Sequence, residues 1–336
     1  MKFSTYVAKR LAMFIPTFLG TIALTFIFVR LLPGNPARLV LGPDATLAQV
    51  QALTRQLGLD KPIYVQLLIF FENFFHGNLG MSIVTYQPVS ASVAQYFPNS
   101  LEEAIAAMLI SLAIGIPLGI AAGMRQNRLA DHASRVYALT GISFPNFFVA
   151  ILLIVAFGMW LRILPVSGQI NPFLPLPRHI TGMVVIDSLL TGNWPDLYNS
   201  LKHIILPAFV LSLSPTAQTV RLLRNGIIEN KNKSFISTIT ANGMSPSIIR
   251  NKYLFRVAFI PTLSVLGLLF ASILSMAYVV EMVFSWPGLG RYVVNSVLYN
   301  DYNAIVGGTI AIILVFLVVN FCVDLLYKYF DPRIRL

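Results

Sequence analysis

The chain has 336 residues, 56% of them hydrophobic and only 11% charged, with 24 Lys/Arg against 13 Asp/Glu for a net charge of +11. That composition excludes an ordinary soluble domain. A single cysteine, Cys322, excludes an intrachain disulfide framework and a multi-cysteine zinc site.

Six apolar stretches run 17 or more residues without a charge: Leu11–Val29, Ala104–Met124, Val136–Leu161, Ile204–Val220, Val257–Val280 and Tyr302–Val323. A helix rises about 1.5 Å per residue, so roughly 20 apolar residues cross a hydrocarbon core about 30 Å thick. The first stretch is longer than a usual signal-peptide core and no small-residue cleavage site follows it, so it reads as a retained helix. It leaves the membrane through Leu32-Pro33-Gly34-Asn35-Pro36, where proline forces an extended or turning exit.

The next segment, of about 70 residues, lies on the outer side. Thr46–Leu57 and Ile63–Phe75 read as short amphipathic helices, the first opened by a Thr46/Gln49 capping box. Phe70, Phe71, Phe74 and Phe75 are expected near the membrane interface. The polar content of Asn73–Leu101 argues against a span, and Glu102 and Glu103 mark the outer mouth of the second. In the third span Pro145 frees a backbone carbonyl; Asn146 beside it either faces a pathway or bonds to a neighbouring helix. The fourth is the most polar, with Ser212, Ser214, Thr216 and Gln218, and these residues either line a path or pack against helices.

Between the fourth and fifth spans, the basic segment Arg221–Arg256 cannot lie in lipid. Phe235, Ile239 and Gly243 fall four apart on one helix face, which needs a cover from helix ends or a partner. Gly243 is a natural helix stop, and Ser245-Pro246 starts a second short helix. Glu281 ends the fifth span, either facing a cavity toward a polar or cationic solute or reaching headgroup water.

Charge orients the chain. With the N-terminus inside, the inner segments (1–10, 125–135, 221–256 and 324–336) hold 16 Lys/Arg and 4 Asp/Glu, and the remainder holds 8 and 9. Basic loops stay cytoplasmic, so both termini are expected inside, with the basic rim against lipid headgroups rather than nucleic acid. No phosphate-cradling loop, zinc-protease helix or nucleophile elbow occurs, and the four histidines form no plausible metal cluster. Active transport by this chain therefore needs energy from a partner or an ion gradient. Glu281 and Asp324 both sit at span ends, which argues against a proton-coupled carrier.

The residues resemble one family nearly end to end. Beside the proline exit at 32–36, they include Leu57-Gly58-Leu59-Asp60-Lys61-Pro62, Gly77-Asn78-Leu79-Gly80-Met81-Ser82, Gly115-Ile116-Pro117-Leu118-Gly119 and Leu164-Pro165-Val166-Ser167-Gly168. The most specific run is Val280–Gly290, with Glu281-Met282-Val283-Phe284-Ser285-Trp286-Pro287-Gly288 inside it. These motifs resemble the inner-membrane permeases of the dipeptide, oligopeptide and nickel class of binding-protein-dependent ABC importers.

The resemblance implies an all-α membrane protein with six transmembrane helices and the type I ABC importer permease fold. Its parts would be a first helix at 1–32, an extracytoplasmic segment at 33–100 and a five-helix core at 101–336 carrying the coupling segment 221–256. It implies no catalysis and no cofactor in this chain. The expected partners are two ABC ATPase subunits, a second related permease (a heterodimer) and an extracytoplasmic solute-binding protein.

The familial coupling helix maps to Phe235–Gly243, and Phe235, Thr238, Ala241, Gly243, Met244 and Ser245 are the expected ATPase contacts. Ser234, Ile239 and Asn242 depart from the family pattern at individual contacts. Asn146, Gln218 and Glu281 are the expected pathway residues. The leading substrate class is peptides, with nickel or oligosaccharides as alternatives; an ion-coupled carrier and a structural scaffold are the competing functions.

Overall fold

The computed structural model describes residues 3–31, 36–42 and 44–330. The Leu32–Asn35 part of the proline exit lies outside the described residues, as does the side chain of Asp324. Fourteen α-helices are described: α1 Phe3–Arg30, α2 Pro36–Leu41, α3 Leu47–Gln56, α4 Ile63–Phe75, α5 Val89–Met124, α6 Leu129–Ser143 and α7 Asn146–Leu153, then α8 Val184–Leu190, α9 Trp194–Asn230, α10 Ser234–Ala241, α11 Pro246–Ile248, α12 Phe255–Val283, α13 Leu289–Leu298 and α14 Tyr302–Phe330. Wider π-type turns extend α7 through Ile154–Trp160 and join α11 to α12 through Ile249–Leu254. Among the described residues the only β pairing is an isolated bridge between Met81 and Pro88.

Among the described residues five helices are long and apolar enough to cross a membrane, and the pair α6 and α7, bent by 105° at its break, brings the number to six when counted as one span. The break is sharper than a kink. Helix α6 stops at Ser143, Phe144 is extended, and Pro145 sits as the cap before α7. Proline disfavours helical geometry in its predecessor and cannot donate to the preceding turn, which accounts for the stop.

Two further boundaries move. α5 begins at Val89, so part of the polar stretch before Glu102 is helix continuous with the second span. α9 runs to Asn230, so the first ten residues of the basic segment extend the fourth span.

The chain forms two compact units, Met1–Ser100 with Pro287–Val315 and Leu101–Trp286 with Phe316–Leu336. In the first, Thr46 and Gln49 form the reciprocal capping box at the start of α3. Phe70 is buried with Ile22, Phe26 and Val29 of α1 and Ile305 and Val306 of α14. The rings of Phe26 and Phe70 lie 5.1 Å apart, and those of Phe18 and Phe74 6.0 Å. Of the four α4 phenylalanines, Phe70 is buried in this cluster, Phe71 and Phe74 are half-buried against it, and Phe75 is largely exposed.

The motif at 77–82 has its own anchor. Asp301 Oδ2 accepts from Ser82 Oγ at 2.6 Å and from the Ile83 amide at 2.8 Å, while Asp301 Oδ1 takes the Ala304 amide at the start of α14. Gly80 has φ +84°, and a Cβ there would meet Asn303 Nδ2 at 2.6 Å.

The second unit is built around α9, which packs on α6, α7, α8 and α12. Ser212, Thr216 and Thr219 are fully buried, with Thr216 donating to its own helix at the Ser212 carbonyl. Glycines let the neighbours come close. A Cβ on Gly115, Gly119 or Gly123 of α5 would lie 3.0, 2.8 or 2.7 Å from the Cβ of Thr219, Leu223 or Ile227. On another side, a Cβ on Gly226 would lie 2.9 Å from that of Ala258 in α12. Small residues every fourth position give van der Waals packing between backbones where lipid supplies no hydrophobic drive. Replacing Gly119 by Val is expected to force α5 from α9, lowering stability by about 1–3 kcal/mol, read as a lower melting temperature of the purified protein and reduced expression in the membrane.

Candidate functional site

The candidate coupling element follows α9. α9 ends at Asn230 with Lys231 as its cap, Lys233 caps the next helix, and α10 runs from Ser234 to Ala241. It closes with the Gly243 amide donating to Thr240 O and the Met244 amide to Ile239 O, and with Gly243 at φ +76°. That pairing is the left-handed glycine stop that satisfies the last carbonyls of a helix. A Cβ at Gly243 meets nothing within 4 Å, so the requirement there is conformational rather than steric. Ser245 caps the next helix through its backbone, its carbonyl accepting from the amides of Ile248 and Ile249; its hydroxyl makes no capping bond.

The hairpin has a core of its own. Ile236, Ile249 and Leu254 are buried, with Phe235, Ile239 and Tyr253 half-buried against them. The apolar stripe expected to need a cover thus finds much of it within the hairpin. Thr238, Ala241, Gly243, Met244 and Ser245 are exposed. Of the six expected contacts, Phe235 alone turns inward, where it supports the surface the others present.

At the same end of α9, Asp131 of α6 is fully buried. Its Oδ2 accepts from Arg224 Nη2 at 3.0 Å, Arg135 Nη2 at 2.9 Å and the Asn127 amide at 2.9 Å. The carboxylate ties the α5–α6 turn to α9 at Arg224, ten residues before α10 begins at Ser234. Sequence reasoning passed over it, although an acid four residues before Arg135 in a basic loop was the available signal.

The expected pathway residues lie on three different helices, α7, α9 and α12. Gln218 is half-buried on α9, its Nε2 3.4 Å from Ser214 Oγ on the same face. Asn146 is half-buried at the first position of α7. Glu281 is fully buried in α12, within electrostatic reach of Glu103, also fully buried. Neither carboxylate oxygen of Glu103 has a hydrogen-bond partner among the described residues. Glu102 Oε1 instead takes the Val185 and Ile186 amides at 2.7 and 3.2 Å, holding the start of α8. Among the described residues no group of three or more His, Cys, Asp or Glu is placed to hold a metal ion.

The loop between α7 and α9 is pinned by Asp187. This carboxylate accepts from the amides of Ile180, Thr181 and Gly182 at 3.1, 2.8 and 3.0 Å and from the Thr181 hydroxyl at 2.7 Å. Burial alone would raise its pKa; the Thr181 hydroxyl and the three amides outweigh that and hold it below the ordinary carboxylate value.

A helical chain with several apolar helices long enough to span a bilayer, and a folded hairpin between α9 and α12, defines a multi-pass membrane protein. Residues 115–336 match the family described as binding-protein-dependent transport system inner membrane component, and residues 3–104 match the corresponding N-terminal region. The chain belongs to this family and is an all-α, multi-pass inner-membrane permease subunit of a binding-protein-dependent ABC importer.

It is similar to the probable D,D-dipeptide transport system permease DdpB of Escherichia coli (strain K12), at 41% identity over 94% of this chain and 93% of that one. It is 35% identical to the dipeptide transport system permease DppB of Alkalihalophilus pseudofirmus, over 98% and 99%. It is 37% identical to the glutathione transport system permease GsiC of Salmonella choleraesuis, over 98% of each.

Two outcomes follow. Asp131→Asn leaves the Arg224 guanidinium without its buried counter-charge and is expected to cost about 3 kcal/mol, measured by thermal unfolding in detergent, whereas Arg135→Gln, at the half-exposed arm, costs far less. A carboxylate held below its ordinary pKa stabilises the fold above about pH 4 and loses that contribution as the pH falls further. The Ile180–Leu190 loop is therefore expected to exchange its amides faster on acidification below that range, and Asp187→Asn to remove this pH dependence, both read by hydrogen–deuterium exchange.

Proposed function

We propose that this chain imports short peptides of the dipeptide class, as one half of a permease pair whose other half is a different, related chain. The substrate class is supported by the names its relatives carry, two of them dipeptide systems and one a glutathione system. Separate ATPase subunits hydrolyse ATP beneath the pair, and an extracytoplasmic binding protein delivers the peptide above it. Both termini are cytoplasmic, the side to which the charge distribution assigns the hairpin. The segment 33–100 is extracytoplasmic, and 101–336 is the permease core.

One observation carries this reading: a hairpin with its own packed core presents Thr238, Ala241, Gly243, Met244 and Ser245 to solvent. A rigid, small-residue surface suits docking of an ATPase groove. Because α10 continues from α9 within a few residues, a push on that surface reaches the most buried span directly. Two arrangements of the spans, biased by ATP at another subunit, suffice for alternating access. Asn146 and Gln218 line the path, and Glu281, enclosed in this conformation, joins it when the spans separate.

The test uses the assembled importer in proteoliposomes. Ala241→Glu places a charge on the exposed hairpin face without touching its core. It is expected to cut ATPase co-purification and peptide uptake at least tenfold while the melting temperature stays unchanged. Undiminished uptake and ATPase association in this variant would sink the docking role.

A further inference from the structure

The Leu164–Gly168 motif, which the coupling scheme leaves unused, forms one wall of a groove of about 470 Å³, with the start of α9 as the other. That is the size of a small-ligand site. Its polar lining is made by Arg162, Ser167, Asn171, Asn199, Lys202 and His203, with no acidic residue in the wall. We infer that this groove binds the free carboxylate of the transported peptide on the outer side of the permease, an assignment that rests on the proposed peptide-import function.

The donors are arranged for an anion. Arg162 Nε donates back to the Met159 carbonyl at 3.3 Å, which directs the guanidinium and leaves its two terminal nitrogens for a guest. A guanidinium and a carboxylate match in a two-pronged hydrogen-bonded pair. Lys202 Nζ rests 4.3 Å from the centre of the Tyr198 ring, an arrangement that holds the ammonium in place without neutralising it.

Asn199 Oδ1 accepts from the Asn171 amide at 2.8 Å, so the side-chain NH₂ remains to donate. His203 is 8% exposed, and its Nδ1 lies 2.9 Å from the Asn199 carbonyl. A carbonyl only accepts, so Nδ1 carries the hydrogen and Nε2 is the nitrogen open to a guest, donating once the ring is protonated. Two fixed cations with no acid beside them leave the groove electrostatically unsatisfied. A peptide's C-terminal carboxylate supplies the missing charge, whereas its amino terminus finds no partner here. The groove therefore reads one end of the peptide.

The test is saturation-transfer NMR on the intact importer in nanodiscs without binding protein, with dialanine and its C-terminal amide as probes. The free acid is expected to show at least fivefold more transfer than the amide. Arg162→Gln and Lys202→Gln should each cut transfer to the acid at least threefold and leave the amide unchanged, while Lys202→Arg retains it. Equal transfer to both probes, or none to either, overturns the assignment. So does a result in which the Gln variants weaken docking of the binding protein and leave dialanine unaffected, because the groove then serves a protein contact. ATP-driven peptide uptake by the unmodified assembly is measured in parallel. Intact uptake without acid–amide discrimination rejects the groove alone, whereas absent uptake rejects the transport function.

Discussion

Close approach of backbones along α9 is the constraint on which the second unit depends. Lipid tails are as apolar as leucine, so helices in a membrane gain little by hiding apolar surface from each other and associate through packing and hydrogen bonds. A Cβ on Gly119 or Gly123 would meet α9 closer than real Cβ atoms pack, one on Gly115 would be tight against Thr219, and Gly226 meets Ala258 as closely. The seam also explains how α9 can be the most polar span and the most buried. The hydroxyls of Ser212 and Thr216 bond within their own helix, to the Phe209 and Ser212 carbonyls, and need no water.

The same helix links the two ends of the transport problem. Its first turns form a wall of the groove beside Leu164–Ser167, its middle carries Gln218, and Arg224, six residues before its end, is clamped to Asp131. A clamp of this kind makes the end of α9 and the α5–α6 turn move together. The hairpin has a packed core of its own, Ile236 with Ile249 and Leu254.

Much of this was legible beforehand, and the misses have physical causes. Length and hydropathy locate the spans because the bilayer imposes its thickness on any sequence that crosses it. The Thr46/Gln49 box and the Gly243 stop were readable because they depend on residues three or four apart. Tertiary arrangements were not. Nothing near Asp131 says that Arg224, 93 positions later, will neutralise it. The Phe-rich face of α4 suits an interface or a core equally, and only the partner Phe26 decides which. Pro145 signalled a disturbance, but the 105° turn depends on what packs against both halves.

Asp301 has a consequence for biosynthesis. Its hydrogen bonds to Ser82 and Ile83 span 219 and 218 positions of chain, and the unit they belong to is assembled from the first hundred residues and Pro287–Val315. Chains emerge from the ribosome N-terminus first. The N-terminal piece of that unit must therefore wait, unfinished, while the four intervening spans are threaded into the bilayer. Only when Asp301 has crossed to the same side does the loop at 77–84 acquire the acceptor for its amides. A truncation before that point would strand those donors, however well the earlier helices had inserted.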